Sequence, residues 1–193
     1  MSLDLLKQLR EESGVSISEC KKALDEARGD LASAKEILRK RGKALAGKKS
    51  ERGAKEGIIA SYLHPNKKVG VILDIRCESD FVARSDEFQK LAHEICLQIA
   101  AMKPIFLKEE DIPEEFLEGE KRIYKEQFAD TGKPQKIIDQ IIEGKLKKYK
   151  EEVSLMSQPW IKDDEKTIKD LIQEHIARLG ENIELKKFQR YEI

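Results

Sequence analysis

A strict alternation of apolar residues with other residues over positions 69–77 constrains the fold of this chain more than any other feature. Val69, Val71, Leu73, Ile75 and Cys77 occupy every second position. This is the period of a β-strand that buries one of its two faces. The apolar face of such a strand must pack against other elements, and helical patterns follow it in the sequence. The alternation therefore predicts a core that contains both strands and helices.

The alternation ends at Cys77, and residues 78–84 read Glu-Ser-Asp-Phe-Val-Ala-Arg. They place a small hydroxyl, a carboxylate and a phenyl ring in succession, before a helical pattern begins near Ser85. An acid beside a large apolar ring, on a turn between two rigid elements, suits contact with another molecule. The same residues also fit an ordinary turn with Phe81 packed into the core. Local pattern alone favours the turn with Phe81 packed into the core.

Glycines and changes of periodicity divide the chain into three parts. Residues 1–42 predict three short helices, the second capped by Ser16 and the third by Asp30 and ended by Gly42. Residues 43–56 have weak apolar periodicity and predict a basic linker. Residues 57–193 predict the main domain.

The main domain begins with two predicted strands, 58–64 and 69–77, joined by a four-residue turn. Residues 153–160 read as extended, and residues 183–193 as a last strand in which Phe188 is out of phase. Helices are predicted to begin near Ser85, Pro113, Ile137 and Thr167. A break at 131–134 precedes the helix that begins near Ile137, and Gly144 is expected to interrupt it. The predicted fold class is α+β, with a small, mainly antiparallel sheet packed on helices and preceded by the three-helix domain.

Charge and cysteine content limit the possible functions. Lysine plus arginine and aspartate plus glutamate number 37 each, so no net charge draws the chain to nucleic acid or membrane. Cys20, Cys77 and Cys96 each lie on an apolar face without CxxC spacing and read as small buried hydrophobes. With no signal-peptide pattern and no apolar run long enough to span a bilayer, we expect a cytoplasmic protein.

The sequence contains no pattern that predicts covalent chemistry. His64, His93 and His175 are scattered and read as packed or surface residues. Phosphate-loop, GxSxG, GxGxxG and HExxH motifs are absent. We therefore expect neither an enzyme, nor a metal site, nor a cofactor.

A basic segment leaves nucleic-acid binding as the alternative function. Residues 35–55 hold nine basic and two acidic side chains. No aromatic residue lies among them to stack on bases, and the chain as a whole is neutral. A solvated linker is the simpler interpretation.

Several separate segments, in order, resemble the bacterial elongation factor Ts family. Ser79-Asp80-Phe81-Val82 is similar to the family signature Thr-Asp-Phe-Val, and residues 1–42 resemble its ubiquitin-associated-like N-terminal module. The other resembling segments are 20–24, 57–59, 132–145, 158–163 and 180–183. Two departures are Ser79 in place of threonine, and Gly14-Val15-Ser16-Ile17-Ser18 in place of Gly-Ala-Gly-Met-Met.

The resemblance implies a guanine-nucleotide exchange factor of translation elongation, which binds elongation factor Tu and expels GDP by disturbing its Mg²⁺ and phosphate site. It implies that Ser79, Asp80, Phe81 and Val82 form the main contact, with Phe81 as a wedge. Val15 and Ile17 would make a weaker contact through the N-terminal module. Short members of the family are homodimers, so a non-covalent homodimer is expected, and an uncovered last strand would favour it. The duplicated core half and the helical hairpin of longer members are not expected.

Overall fold

The computed structural model describes residues 3–128 and 134–193 and confirms the predicted α+β class. In this part of the chain, three helices come first and the sheet and remaining helices follow. The helices are α1 (Leu3–Ser13), α2 (Ile17–Glu26), α3 (Leu31–Lys49), α4 (Asp80–Ala83), α5 (Asp86–Met102), α6 (Glu114–Phe128), α7 (Gln135–Val153) and α8 (Ile168–Leu179).

The strands form one small sheet and one short ribbon. They are β1 (Glu56–Leu63), β2 (Val69–Cys77), β3 (Pro159–Trp160), β4 (Asp163–Thr167) and β5 (Glu184–Glu192). The main sheet has the order β1–β2–β5, and both of its pairings are antiparallel. The ribbon pairs β3 with β4.

The N-terminal helices enclose a small core of their own. The predicted caps are present: the Ser16 hydroxyl accepts from the amide of Glu19 at 3.4 Å, and the Asp30 carboxylate accepts from the amide of Ser33 at 2.7 Å. Each cap satisfies an amide that has no partner within its helix. The buried residues of this core are Leu9, Cys20, Ala23, Leu24, Ala34 and Leu38.

Helix α3 does not end at Gly42, as the sequence suggested, but continues to Lys49. Gly42 is buried, and a Cβ added to it would lie 3.4 Å from the Cβ of Ala177 on α8. The glycine thus permits close approach of two helices rather than ending one. Further along, Ala46 joins the main core, so that the first half of the predicted linker is packed helix. The division into domains stays a prediction.

The inner face of β2 forms the centre of the main core, as its alternation predicted. Val71, Leu73, Ile75 and Cys77 are buried there. Helix α5 contributes the buried Phe88, together with most of its own apolar face, and α8 packs beside it. No helix within the described ranges is long and apolar enough to cross a membrane.

A bulge in β5 explains why Phe188 is out of phase with the rest of that strand. Leu185 pairs with Ile75, whereas Lys187 pairs with Asp74, so Lys186 is an extra residue. One extra residue reverses the alternation of faces. Phe188 consequently lies opposite Leu73 and packs against the main core.

Helices α6 and α7, which the sequence predicted near Pro113 and Ile137, pack against each other. Ring contacts pair Phe116 with Tyr149, and Lys145 lies over the ring of Tyr124, so the two helices are antiparallel. Helix α7 passes through Gly144 without interruption. Residues 131–133 of the predicted break lie outside the described residues.

The segment predicted to be extended, residues 153–160, is mostly not a strand. It contains the end of α7 and a 3₁₀ turn at Leu155–Ser157, and only Pro159–Trp160 is strand. The following helix, α8, begins and ends as predicted. Thr167 and Asp170 form a reciprocal cap at its start, and Gly180 ends it in a left-handed conformation with φ 78°.

We predict opposite effects of one substitution at two glycines of α3. Gly42→Leu should lower the free energy of unfolding by about 1–3 kcal/mol, because the side chain must push α3 away from Ala177. Gly47→Leu is the matched control. No atom lies within 4 Å of its added Cβ, so better helix propensity should raise stability by up to about 1 kcal/mol. Urea unfolding of both variants measures the difference, and equal effects would contradict close packing at Gly42.

Candidate partner-binding site

The segment after β2 folds into a single helical turn that is capped by Ser79. The Ser79 hydroxyl accepts from the amide of Val82 at 3.3 Å, and α4 follows directly. A second serine, Ser85, caps α5 in the same way by accepting from the amide of Phe88. The segment is therefore a capped helical turn that is followed by a second capped helix, and it is not an irregular loop.

Phe81 projects from this turn into solvent. Its side chain is 81% exposed, whereas Val82 and Ala83 beside it are buried in the main core. The alternative in which Phe81 packs into the core is therefore wrong. Val82 anchors the turn from below, and the accessible groups of the predicted contact are the ring of Phe81 and the carboxylate of Asp80.

Asp80 is exposed and lies 3.2 Å from the guanidinium of Arg84, one turn further along. Ion pairs between exposed side chains contribute little to stability and exchange easily for other partners. The carboxylate is therefore accessible to a cation or a hydrogen-bond donor on a binding partner. The sequence analysis did not single out Arg84.

A carboxylate from a distant part of the chain holds the start of the turn. Glu181 accepts from the amides of Glu78 and Ser79 at 3.1 and 2.9 Å, and from the Ser79 hydroxyl at 2.6 Å. In return, Glu78 accepts from the amide of Asn182 at 2.7 Å. The sequence analysis noted 180–183 only as a resembling segment. Its contact with the turn could not be inferred from spacing.

Burial of Cys77 adds a further contact to the turn. Its thiol donates to the carbonyl of Ser79 at 3.1 Å. Burial, together with the nearby charge of Glu181, raises the pKa of the Cys77 thiol to about 11. The thiol is therefore protonated at neutral pH and available as a donor. All three cysteines are free and buried, as predicted.

The two residues predicted for the N-terminal contact differ in exposure. Val15 is half-buried against the core of the helical module. Ile17 opens α2 and is 50% exposed, so the helical spacing that it shares with the buried Cys20 and Leu24 wrongly predicts its burial in that core. An exposed isoleucine beside a half-buried valine forms a small apolar surface.

Arg178 connects this surface to the vicinity of the turn. A Cβ added to Gly14 would lie 3.0 Å from the Cδ of Arg178. The guanidinium of Arg178 lies 3.7 Å from the carboxylate of Glu87, in the first turn of α5. The loop before α2 and the helix that follows the Ser79–Arg84 turn therefore both lie close to Arg178.

The histidines show no arrangement suited to chemistry. His175 is held by the carbonyl of Leu171 at 2.9 Å, and burial lowers the pKa of its imidazole. His64 bonds to the hydroxyl of Tyr62 at 2.9 Å, and the ring of His93 packs on the same tyrosine. Among residues 3–128 and 134–193, no three histidine, cysteine, aspartate or glutamate side chains could together hold a metal ion.

An exposed aromatic ring on a turn held by several hydrogen bonds, beside a small helical module, suits a protein that binds another macromolecule. Comparisons with known proteins identify the family. The sequence model described as "Elongation factor TS" matches residues 32–193. The chain therefore belongs to the elongation factor Ts family, and so to the elongation factors of protein biosynthesis.

Three relatives illustrate how fully the chain is covered. Elongation factor Ts of Thermotoga petrophila is 54% identical over 193 residues, which is all of this chain and 96% of the relative. That of Thermosipho melanesiensis is 51% identical over 193 residues, which is all of this chain and 98% of the relative. That of Coprothermobacter proteolyticus is 51% identical over 191 residues, covering 99% and 97% of the two chains.

Proposed function

We propose that this chain is the guanine-nucleotide exchange factor for elongation factor Tu, and that it uses Phe81 as a wedge. Family membership supports exchange activity on that partner. The exposure of Phe81 on a turn with an anchored base is the observation that carries the mechanism. Translation elongation takes place in the cytoplasm, where we propose that the protein acts.

The proposed mechanism acts on how the partner holds its nucleotide. A GTPase binds GDP largely through Mg²⁺ and a loop that surrounds the phosphates. Entry of the Phe81 ring between elements that support this site would separate them, and burial of the ring supplies about 1.5–3 kcal/mol. The carboxylate of Asp80, released from Arg84, would compete for groups that order the metal. No covalent step and no cofactor of its own are involved.

Exchange of this kind must be reciprocal. If the factor weakens GDP binding to its partner, GDP weakens factor binding by the same ratio. GTP binding to the partner would then release the factor. The proposal therefore requires a complex that is tightest when the partner holds no nucleotide.

The N-terminal module would dock beside the wedge. Ile17 supplies an exposed apolar side chain, and Val15 lies next to it. The chain of contacts through Arg178 places the Gly14 loop and the start of α5 next to each other. A single face of one partner domain could therefore contact both regions.

We predict that Phe81→Ala lowers the rate of GDP release about 10- to 150-fold, which corresponds to loss of about 1.5–3 kcal/mol of ring burial. Asp80→Ala should also lower the rate of GDP release. The melting temperature of Phe81→Ala should stay within about 2 °C, because the ring is 81% exposed. Labelled GDP released from purified elongation factor Tu measures the rate.

Matched controls for this experiment are Ile161→Ala and Asp164→Ala. Both remove an exposed side chain of similar character elsewhere in the chain, and both should leave the rate unchanged. An unchanged rate in Phe81→Ala would contradict the wedge. Failure of the unaltered protein to speed GDP release would contradict exchange activity itself.

The basic segment offers little support for the alternative of nucleic-acid binding. Several of its side chains are already paired with carboxylates, some from distant parts of the chain. These pairs are Lys35 with Glu12, Lys40 with Glu36, Arg41 with Glu19 and Glu26, Lys43 with Asp170, and Arg52 with Glu78.

We therefore predict only weak binding to RNA or duplex DNA at near-physiological salt. Dissociation constants should be no tighter than about 10⁻⁴–10⁻⁶ M, the range of non-specific electrostatic binding. Fluorescence anisotropy with a labelled oligonucleotide, over a series of salt concentrations, measures this. A nanomolar complex that resists salt would support the alternative instead.

The outer face of the main sheet supports a homodimer. Apolar side chains from all three strands are exposed on this face. Strand β5 also lies at an edge of the sheet, as the sequence analysis suggested. Burial of the cysteines requires any dimer to be non-covalent. The exposed residues of the face are Ile59, Leu63, Ile72 and Tyr191.

We predict that Ile72→Glu converts a dimer into a monomer. A charge at the centre of the face would be buried without a partner in the dimer. Light scattering should give a mass of about 44 kDa, twice the chain mass of 22.2 kDa, for the unaltered protein. The variant should give the mass of one chain. Ile161→Glu, at an isoleucine of similar exposure outside the sheet, should remain a dimer, and a monomeric unaltered protein would contradict the proposal.

A further inference from the structure

The strongest unassigned arrangement in the molecule is the contact between Glu181 and the base of the Ser79–Arg84 turn. Three donors converge on one carboxylate: the amides of Glu78 and Ser79, and the hydroxyl of Ser79. These residues are separated from Glu181 by more than a hundred positions. Hydrogen bonds to a carboxylate are stronger than those between neutral groups.

The contact decides which way the Ser79 hydroxyl points. Its proton is donated to Glu181 at 2.6 Å, which leaves oxygen lone pairs to accept from the amide of Val82. The same hydroxyl therefore links the carboxylate to the first turn of α4. A serine or a threonine can form this link, because both carry the hydroxyl on Cβ. The direction in which Phe81 leaves the turn follows from how α4 begins.

Glu181 is itself fixed on a rigid support. It follows Gly180, which ends α8 in a left-handed conformation and whose carbonyl accepts from the ammonium of Lys49. The amide of Asn182 donates to Glu78 at 2.7 Å, and the side chain of Asn182 donates to the carbonyl of Arg52 at 2.8 Å. Hydrogen bonds between the turn and the end of α8 therefore run in both directions, since each segment donates to a carboxylate of the other.

We propose that Glu181 is a positioning residue for nucleotide exchange: its carboxylate orients the turn so that Phe81 projects toward the partner. The inference rests on the proposed function of Phe81 as the wedge. Glu181 touches neither the partner nor the nucleotide in this scheme. It acts only through Ser79 and the backbone of the turn.

Exchange kinetics in two backgrounds test the proposal. Glu181→Ala should lower the maximal rate of GDP release at least about tenfold, while the factor concentration that gives half the maximal rate changes less. In a Phe81→Ala background the same substitution should change the rate less than about twofold, because no wedge remains to be oriented. A role only in stability would lower the rate equally in both backgrounds.

Further variants separate positioning from folding. Glu181→Gln retains an acceptor for the backbone amides and should keep more of the rate than Glu181→Ala. Ser79→Thr should keep the rate, whereas Ser79→Ala should lower it. Glu151→Gln is the matched charge control, since Glu151 pairs with Lys147 on α7. It should behave as the unaltered protein.

Amide hydrogen exchange on the protein alone gives a readout that does not depend on the partner. The amides of Glu78, Ser79 and Val82 should lose protection in Glu181→Ala, while those in the middle of α5 keep theirs. Unchanged protection of the three amides would overturn the inference, whether or not the protein releases GDP. If Phe81→Ala slows release but Glu181→Ala does not, the inference fails and the proposed function stands.

Discussion

The burial of one face of β2 is the constraint on which the site depends. Leu73, Ile75 and Cys77 are completely buried, and the strand is held by a neighbour on each side. A slip of one residue would turn all three into solvent. The strand therefore ends at one defined position. Because Ser79 follows Cys77 by two residues, the place where the Ser79–Arg84 turn begins is set by core packing rather than by the turn itself.

Close packing of α3 on α8 joins the N-terminal module to this core. Gly42 lets the two helices approach at Ala177, and Lys49 reaches the carbonyl of Gly180 at the end of α8. The ion pair of Lys43 with Asp170 spans the same contact. The local excess of basic charge in α3 is thus partly offset by acids of other elements, namely Glu12, Glu19, Glu26 and Asp170. Burial of α3 explains why this segment is not a simple linker.

Local signals in the sequence were sufficient for most of the elements. The caps at Ser16, Asp30 and Thr167 could be predicted because each depends on residues within one helical turn. The prediction that α3 ends at Gly42 was wrong because glycine both ends helices and permits two helices to pack closely. Only the position of α8 distinguishes these two roles. The bulge at Lys186 could not be predicted either, because a bulge is defined only relative to the strand that pairs with it.

The candidate site was predictable in part for similar reasons. The order hydroxyl, acid, ring is visible in the sequence, and so is its place after a strand. The exposure of Phe81 is not visible in the sequence, because an aromatic residue near a turn is also compatible with the core. Phe88, a few residues later, is buried. The contact between Glu181 and Ser79 could not be predicted from the sequence, because the two residues are 102 positions apart and no periodicity connects their segments.

The wedge proposed for Phe81 must satisfy two requirements that oppose each other. Its ring must be exposed, so that burial on the partner still yields free energy, yet its position must be rigid, so that this energy is not lost in ordering a mobile loop. Phe81 meets the first requirement because α4 is too short to bury it, since only Val82 and Ala83 reach the core. The second requirement falls on groups outside the turn. The Cys77 thiol and the Glu181 carboxylate both hold Ser79, so the rigidity of the site comes from the strand and the helix end that flank it.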